Sequence, residues 1–255
     1  MPIVHVNDID MYYEIHGEGD PLLMVLGMGM NIASFNNPDI IGTFAEHYQV
    51  IAFDNRGMGR TSKPDAPFTV ELMARDTLGL MDAIGIRQAH VVGGSLGACV
   101  AQVIAAGHPG RVRGLVLHGA ASRYPFLIRA MVGLTVKIPF LRRQSVKMAE
   151  PIFKEPFPPT ETSYLNQCIA GVGFDSRHLL GRIAAPTLII NMAHDQYVPM
   201  KFTRELADGI RGSRLELIDR DHLFILKEPE LITRPALEFL RRVDPGTETP
   251  GADET

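Results

Sequence analysis

The chain has no tryptophan and only two cysteines, Cys99 and Cys168, among its 255 residues. Two thiols so far apart in sequence make no disulfide framework, so the fold must rest on a hydrophobic core. Cys99 reads as a buried small hydrophobe rather than a reactive thiol. Long apolar runs are also missing. Leu22 to Met30 falls well short of the about 20 residues that span a bilayer. There is no basic excess either. Formal net charge is −4, and Asp244, Glu248, Asp253 and Glu254 lie in the last dozen positions with no Lys or Arg among them. Without them the chain is balanced, with 25 acidic and 25 basic residues. This pattern excludes the electrostatic footprint of a nucleic-acid-binding protein. No two histidines stand at metal-ligand spacing, so no metal site is expected. The N-terminus lacks a basic-then-apolar leader, which predicts a cytoplasmic protein.

What is present fits a globular α/β protein. Hydrophobic residues make up 45% and charged residues 21%, an ordinary balance that allows a sizeable core. Ile3 to Val6 and Met11 to His16 read as a hairpin around Asn7-Asp8. Leu22 to Leu26, Gln49 to Phe53, Ala89 to Val92, Val112 to His118, Thr187 to Asn191 and Leu215 to Ile218 read as strands. Helical spacing occurs at Ile40 to His47, Val70 to Gly85, Met200 to Ile210 and Pro229 to Val243. Strands alternating with helices imply a mostly parallel sheet covered on both faces. Between Ala121 and Ala185 the alternation lapses. Helical pieces near Leu127–Val136, Arg142–Phe153, Glu161–Ala170 and Arg177–Ile183 are separated by Pro and Gly, which predicts an inserted helical cap. The expected organisation is a core of residues 1–120 and 186–243, a cap of 121–185, and a disordered tail of 244–255.

The most informative stretch is Gly93-Gly94-Ser95-Leu96-Gly97. A buried strand precedes it. A helical pattern of Leu96, Val100, Val103 and Ile104 follows. This is the strand–turn–helix context of a nucleophile elbow, G-x-S-x-G. The small residues let the turn tighten, and Ser95 then stands at a helix N-terminus with the Leu96 N–H aimed at a developing oxyanion. A serine hydroxyl needs a base, and the base needs a carboxylate to hold its tautomer. In such enzymes the acid and the histidine follow the serine in chain order, each after a strand. Asp195 follows the strand ending at Asn191. His222 follows the strand ending at Ile218, and it is the last histidine of the chain. Asp219 and Asp221 are rival acids, but both are too local to His222 to reach back to its ring. The other histidines lie near element ends. His5, His16, His47, His90 and His108 are expected to face solvent or cap helices, and His118 to border the pocket.

With these residues in place, the chain resembles the α/β-hydrolase fold superfamily over residues 3–243. The likeness is to its cap-bearing branch of small esterases, lactonases and carbon–carbon-bond hydrolases. Gly27-Met28-Gly29 resembles the oxyanion loop of that family. Asp54-Asn55-Arg56-Gly57-Met58-Gly59-Arg60-Thr61 resembles its D-x-R-G-x-G-x-S turn. Asp195 before Val198-Pro199 and His222 before Glu228-Pro229-Glu230 also follow the family. Two positions depart: Leu26 stands where a histidine is common, and Asp221 where a glycine is common.

The resemblance implies an eight-stranded sheet and an oxyanion hole made by the Met28 and Leu96 amides. It implies hydrolysis of a small, fairly apolar ester or lactone at Ser95, with no cofactor and a small-molecule substrate as partner. Gly27, Phe126, Met131, Phe153 and Leu223 are the candidate pocket residues. The same constellation also serves carbon–carbon-bond hydrolysis, reaction with peroxide, or ligand reception. A serine nucleophile argues against the related dehalogenases and epoxide hydrolases, which attack with a carboxylate.

Overall fold

The computed structural model describes residues 2–34, 40–222 and 228–244. The apolar runs become neighbours in one eight-stranded sheet. Its strands are β1 (Ile3–Val6), β2 (Ile9–His16), β3 (Pro21–Val25), β4 (Gln49–Phe53), β5 (Ala89–Gly94), β6 (Val112–His118), β7 (Thr187–Met192) and β8 (Arg214–Ile218). Their order is β1-β2-β4-β3-β5-β6-β7-β8. β2 pairs antiparallel with β1 and β4, and the other neighbours are parallel. The order reverses between β3 and β5. In sheets of this kind the ligand crevice lies at the C-terminal ends of the strands beside such a reversal.

Inner strands are apolar on both faces because helices cover both. Leu23, Val25, Ile51, Val91, Leu115 and Ile189 face one layer, built from α2 (Val70–Ala83), α3 (Leu96–Gly107) and α8 (Met200–Gly209). Leu22, Met24, Val50, Val92, Val116 and Leu188 alternate with them and face α1 (Ile40–Ala45) and α9 (Glu230–Val243). The two-residue period of a strand thus divides one apolar run between two cores. α2 starts where Thr69 accepts a hydrogen bond from the Leu72 N–H, and it stops before Gly85, whose φ is 75°. Both are ordinary helix signals.

Between β6 and β7 lie α4 (Phe126–Lys137), α5 (Pro139–Met148), α6 (Glu150–Lys154) and α7 (Glu161–Gly173). Two expectations change here. Arg142–Phe153 is two helices, because Ala149 ends one and Pro151 sits in the first turn of the next, where its missing N–H costs nothing. Arg177–Ile183 yields only a single 3₁₀ turn, Leu180–Arg182. The segment has a small core of its own around Ala149, Tyr164 and Leu165. No helix among the described residues is long and apolar enough to cross a membrane.

Two further corrections concern the end of the sheet opposite the crevice. His90 is not solvent-facing. It is fully buried in β5, with its Nε2 2.5 Å from Asp244 Oδ2. Asp244 also pairs with Arg113 at 2.8 Å, so the chain is anchored at the residue where a disordered tail was expected to begin. The remainder of that tail, 245–255, lies outside the described residues.

A buried ion cluster braces the loop after β4. Arg56 reaches Asp76 at 2.7 Å and Asp8 at 2.6 Å; Arg56 and Asp76 are buried and Asp8 is exposed. Removing a buried charge strands its partner in a poorly solvating interior. Arg56→Ala should therefore cost about 3–5 kcal/mol in urea unfolding, whereas Asp8→Ala should cost under about 1 kcal/mol. Equal losses in the two variants would show that Asp76 is not what Arg56 neutralises.

Candidate active site

Ser95 follows β5 directly and has φ 50° and ψ −113°. Few residues with a side chain adopt such a backbone, and strain of this kind is retained where surrounding packing forces it. The packing is visible in the flanking glycines. A Cβ at Gly97 would lie 2.0 Å from the Val25 carbonyl oxygen, and one at Gly93 2.7 Å from the Gly97 oxygen. The turn closes only because both side chains are absent. Gly94 has a different reason. A Cβ there would stand 2.3 Å from the His118 ring. The Ser95 N–H donates to the His118 carbonyl at 2.9 Å, which ties the turn to the end of β6.

Across the crevice, the loop after β3 packs on this turn. A Cβ at Gly27 would be 3.6 Å from Ser95 Cβ. Residues 27–30 form a four-residue turn, closed by Met30 N–H donating to the Gly27 carbonyl at 3.3 Å. Asn55 Nδ2 donates to the Leu26 carbonyl at 3.0 Å, and Gln167 Oε1 accepts from the Gly29 N–H at 3.0 Å. Among the described residues, no group accepts a hydrogen bond from the Met28 or Leu96 N–H. The Met28 side chain is partly exposed, with its sulfur 3.4 Å from the Cys168 thiol.

Asp195 and His222 come from the ends of adjacent parallel strands, β7 and β8. Asp195 Oδ1 accepts from the Tyr197 and Val198 N–H groups, each at 2.8 Å. Its Oδ2 lies 2.7 Å from His222 Nδ1. The Asp195 side chain is 1% exposed. With Nδ1 directed at the carboxylate, the imidazole proton belongs on Nδ1 and Nε2 is left as a base. The Tyr197 ring meets the imidazole edge-on at 5.3 Å. The rival acid Asp219 turns outward and bonds His194 at 2.7 Å, both exposed.

A family model described as the alpha/beta hydrolase fold matches residues 20–147. A relative from Azorhizobium caulinodans that carries the name carbamate hydrolase RutD is 32% identical, over 96% of this chain and all of its own. The chain belongs to the α/β-hydrolase fold family. Its similarity extends to 3-oxoadipate enol-lactonase 2 of Acinetobacter baylyi, 25% identical over 95% of this chain and 99% of that one. Among solved structures, the enol-lactonase of Burkholderia xenovorans LB400 superposes with a TM-score of 0.79. It is 25% identical and covers 94% of this chain and 99% of its own.

The expected pocket residues of this α/β hydrolase separate. Gly27 touches the Ser95 turn, as above. Phe126 is 82% exposed but forms part of the rim of a cleft of about 490 Å³ between α4 and α7, with Arg129, Ile169 and Val172. Met131 is exposed and lies outside that cleft. Phe153 packs edge-on against Tyr164 at 5.6 Å, half-buried against the small core of the helical segment. Leu223 lies outside the described residues. Sequence reasoning missed Gln167 altogether. It is a polar residue in an otherwise unremarkable helix, and nothing local signals its reach to the loop after β3.

His118 adds a second imidazole beside His222. Burial pushes its pKa down to about 4 from 6.5, and the neighbouring His222 adds to the shift. The unfolded chain then binds this proton more readily than the folded one. Stability from this site is complete above pH 6.5 and is lost as pH falls toward about 4. Urea midpoints taken between about pH 7.5 and pH 4.5 should fall more steeply for the wild type than for His118→Gln. Parallel slopes would mean that His118 takes up its proton without cost.

Proposed function

We propose that this α/β hydrolase is a serine hydrolase that opens small carboxylic esters and lactones through an acyl-enzyme on Ser95. The hydrogen bond between Asp195 and His222, at the end of the sheet that carries the strained Ser95, is the observation that supports this reading most. In the proposed cycle, Ser95 Oγ bonds to the substrate carbonyl carbon while His222 Nε2 takes its proton. The C=O electron pair moves to oxygen, and the resulting oxyanion is stabilised by the Met28 and Leu96 N–H groups. Collapse expels the alkoxide, which takes the proton from Nε2. In a lactone the new hydroxyl stays on the acyl chain. Water then repeats the sequence, with His222 as its base, and frees the acid. Asp195 orients the imidazole and stabilises it when protonated. The role of the helical segment is that of a cap selecting substrates over the crevice.

A second reading has specific support in the relative named as a carbamate hydrolase. A carbamate offers the same attack at a carbonyl carbon with a heteroatom leaving group. It requires no change in the roles above.

A fluorophosphonate probe should label the wild type and not Ser95→Ala. Ser95→Ala should lose about 10⁴-fold or more in kcat on any ester, lactone or carbamate that the wild type turns over. Asp195→Asn should lose about 10³–10⁴-fold, while Asp219→Asn stays within about tenfold because its carboxylate turns outward to His194. A Ser95→Ala protein with a tenth of wild-type turnover would sink the mechanism. Collapse of Asp219→Asn beside an active Asp195→Asn would reassign the acid.

A further inference from the structure

The turn at residues 27–30 has little stiffness of its own, with glycine at two of its four positions. Its third residue, Gly29, has φ 75°, and its ends are joined by the bond from Met30 N–H to the Gly27 carbonyl. This is the type II pattern. Because Gly27 C=O and Met28 N–H share one planar trans peptide, the bond that holds the carbonyl inward turns the Met28 N–H outward. The central peptide, Met28–Gly29, is the weak point. Its rotation converts a type II turn into a type I turn, and glycine accepts either form. The N–H of that peptide is the one that Gln167 Oε1 holds at 3.0 Å.

Gln167 lies in α7, far from the turn in sequence, and is fully buried. Its helix neighbours approach the same region. Cys168 touches Met28 through sulfur, and a Cβ at Gly171 would be 3.1 Å from Leu96 Cδ1. One helix therefore lies against both residues whose amides the serine-hydrolase reading places at the oxyanion. The Gln167 carboxamide is a poor choice for packing alone. With Oε1 committed to Gly29, Nε2 is buried and has no partner among the described residues. Leaving such a donor unmet is unfavourable, and a methionine would fill the same volume without that penalty. What the glutamine supplies is the acceptor.

We propose that Gln167 is a positioning residue of the oxyanion hole. Its bond to the Gly29 N–H ties the 27–30 turn to α7 and so holds the whole turn, the Met28 N–H with it, in place for the oxyanion. The proposal rests on the serine-hydrolase reading above. It also makes the helical segment between β6 and β7 part of the catalytic geometry, beyond a role in substrate choice.

The test compares Gln167→Met with Asn166→Ala. Asn166 is the preceding residue on the same helix; its Nδ2 donates to the Ala66 carbonyl at 3.1 Å, away from the turn. Each variant is titrated with a fluorophosphonate to count working sites. It is then assayed for kcat and KM on a p-nitrophenyl ester, and for inhibition by a trifluoromethyl ketone with the same acyl chain. The ketone forms an oxyanion on Ser95 without turning over. Gln167→Met should lower kcat about tenfold to a hundredfold and weaken the ketone by the same factor, with KM within about threefold. Asn166→Ala should lower Tm and leave kcat and ketone affinity within about threefold. Gln167→Ala is read in the same way if Gln167→Met does not fold. Unchanged kcat and ketone affinity in the Gln167 variants would overturn the proposal, and so would equal losses in Asn166→Ala. A wild type that neither the probe nor the ketone engages would overturn the serine reading and this proposal together.

Discussion

Between the ends of β3 and β5 the backbone comes as close as bare glycines allow. The Val25 carbonyl oxygen lies where the first carbon of a side chain at Gly97 would be. This contact explains why the turn at residue 95 is so sharp and why its serine carries a positive φ. It also explains why α3 begins at once, with its first amide uncommitted among the described residues. A looser turn would swing Ser95 away from the loop at 27–30, and the two halves of the crevice would part. The strain is local. The parallel pairing on both sides of β5 is regular near the turn and holds the strand that would otherwise relax it.

Charge is distributed with the same economy. The proposed acid, Asp195, is the carboxylate held against His222, and it accepts three hydrogen bonds with both oxygens engaged. The other imidazole nearby, His118, is driven toward its neutral form by burial. A proton reaching this corner of the molecule therefore finds one imidazole with a carboxylate behind it and one without. Elsewhere, buried charges are kept in structural service. Arg56 joins Asp76 and Asp8, and Asp54 accepts from the Ile32 and Arg60 amides to fix the loop after β4.

The parts of this fold that were legible in the sequence are those governed by short-range rules. Buried strands announce themselves as continuous apolar runs, and Gly93 and Gly97 can be read as sterically required before any coordinates exist. Asp195 and His222 can be paired from sequence because each follows a strand end in a known chain order, and their side chains do meet, at 2.7 Å. The helical segment was visible only as a lapse in pattern. Its breaks depended on Ala149 and Pro151, and its surface on how α4 and α7 happen to pack. Thus Phe126 borders a cleft while Met131 faces solvent and Phe153 is half-buried against Tyr164. His90 was misjudged because its partner, Asp244, is 154 positions away. Gln167 was invisible for the same reason, being 138 positions from the amide it holds.

The bond between His90 and Asp244 has a practical side. His90 sits near the start of β5 and Ser95 just beyond its end, five residues on, or about 16 Å at the rise of a strand. The chain therefore leaves α9 on the floor of the sheet, opposite the crevice. A linker joined after Asp244, to a surface, a reporter or a second enzyme, would begin on that far side and leave the approach to Ser95 open.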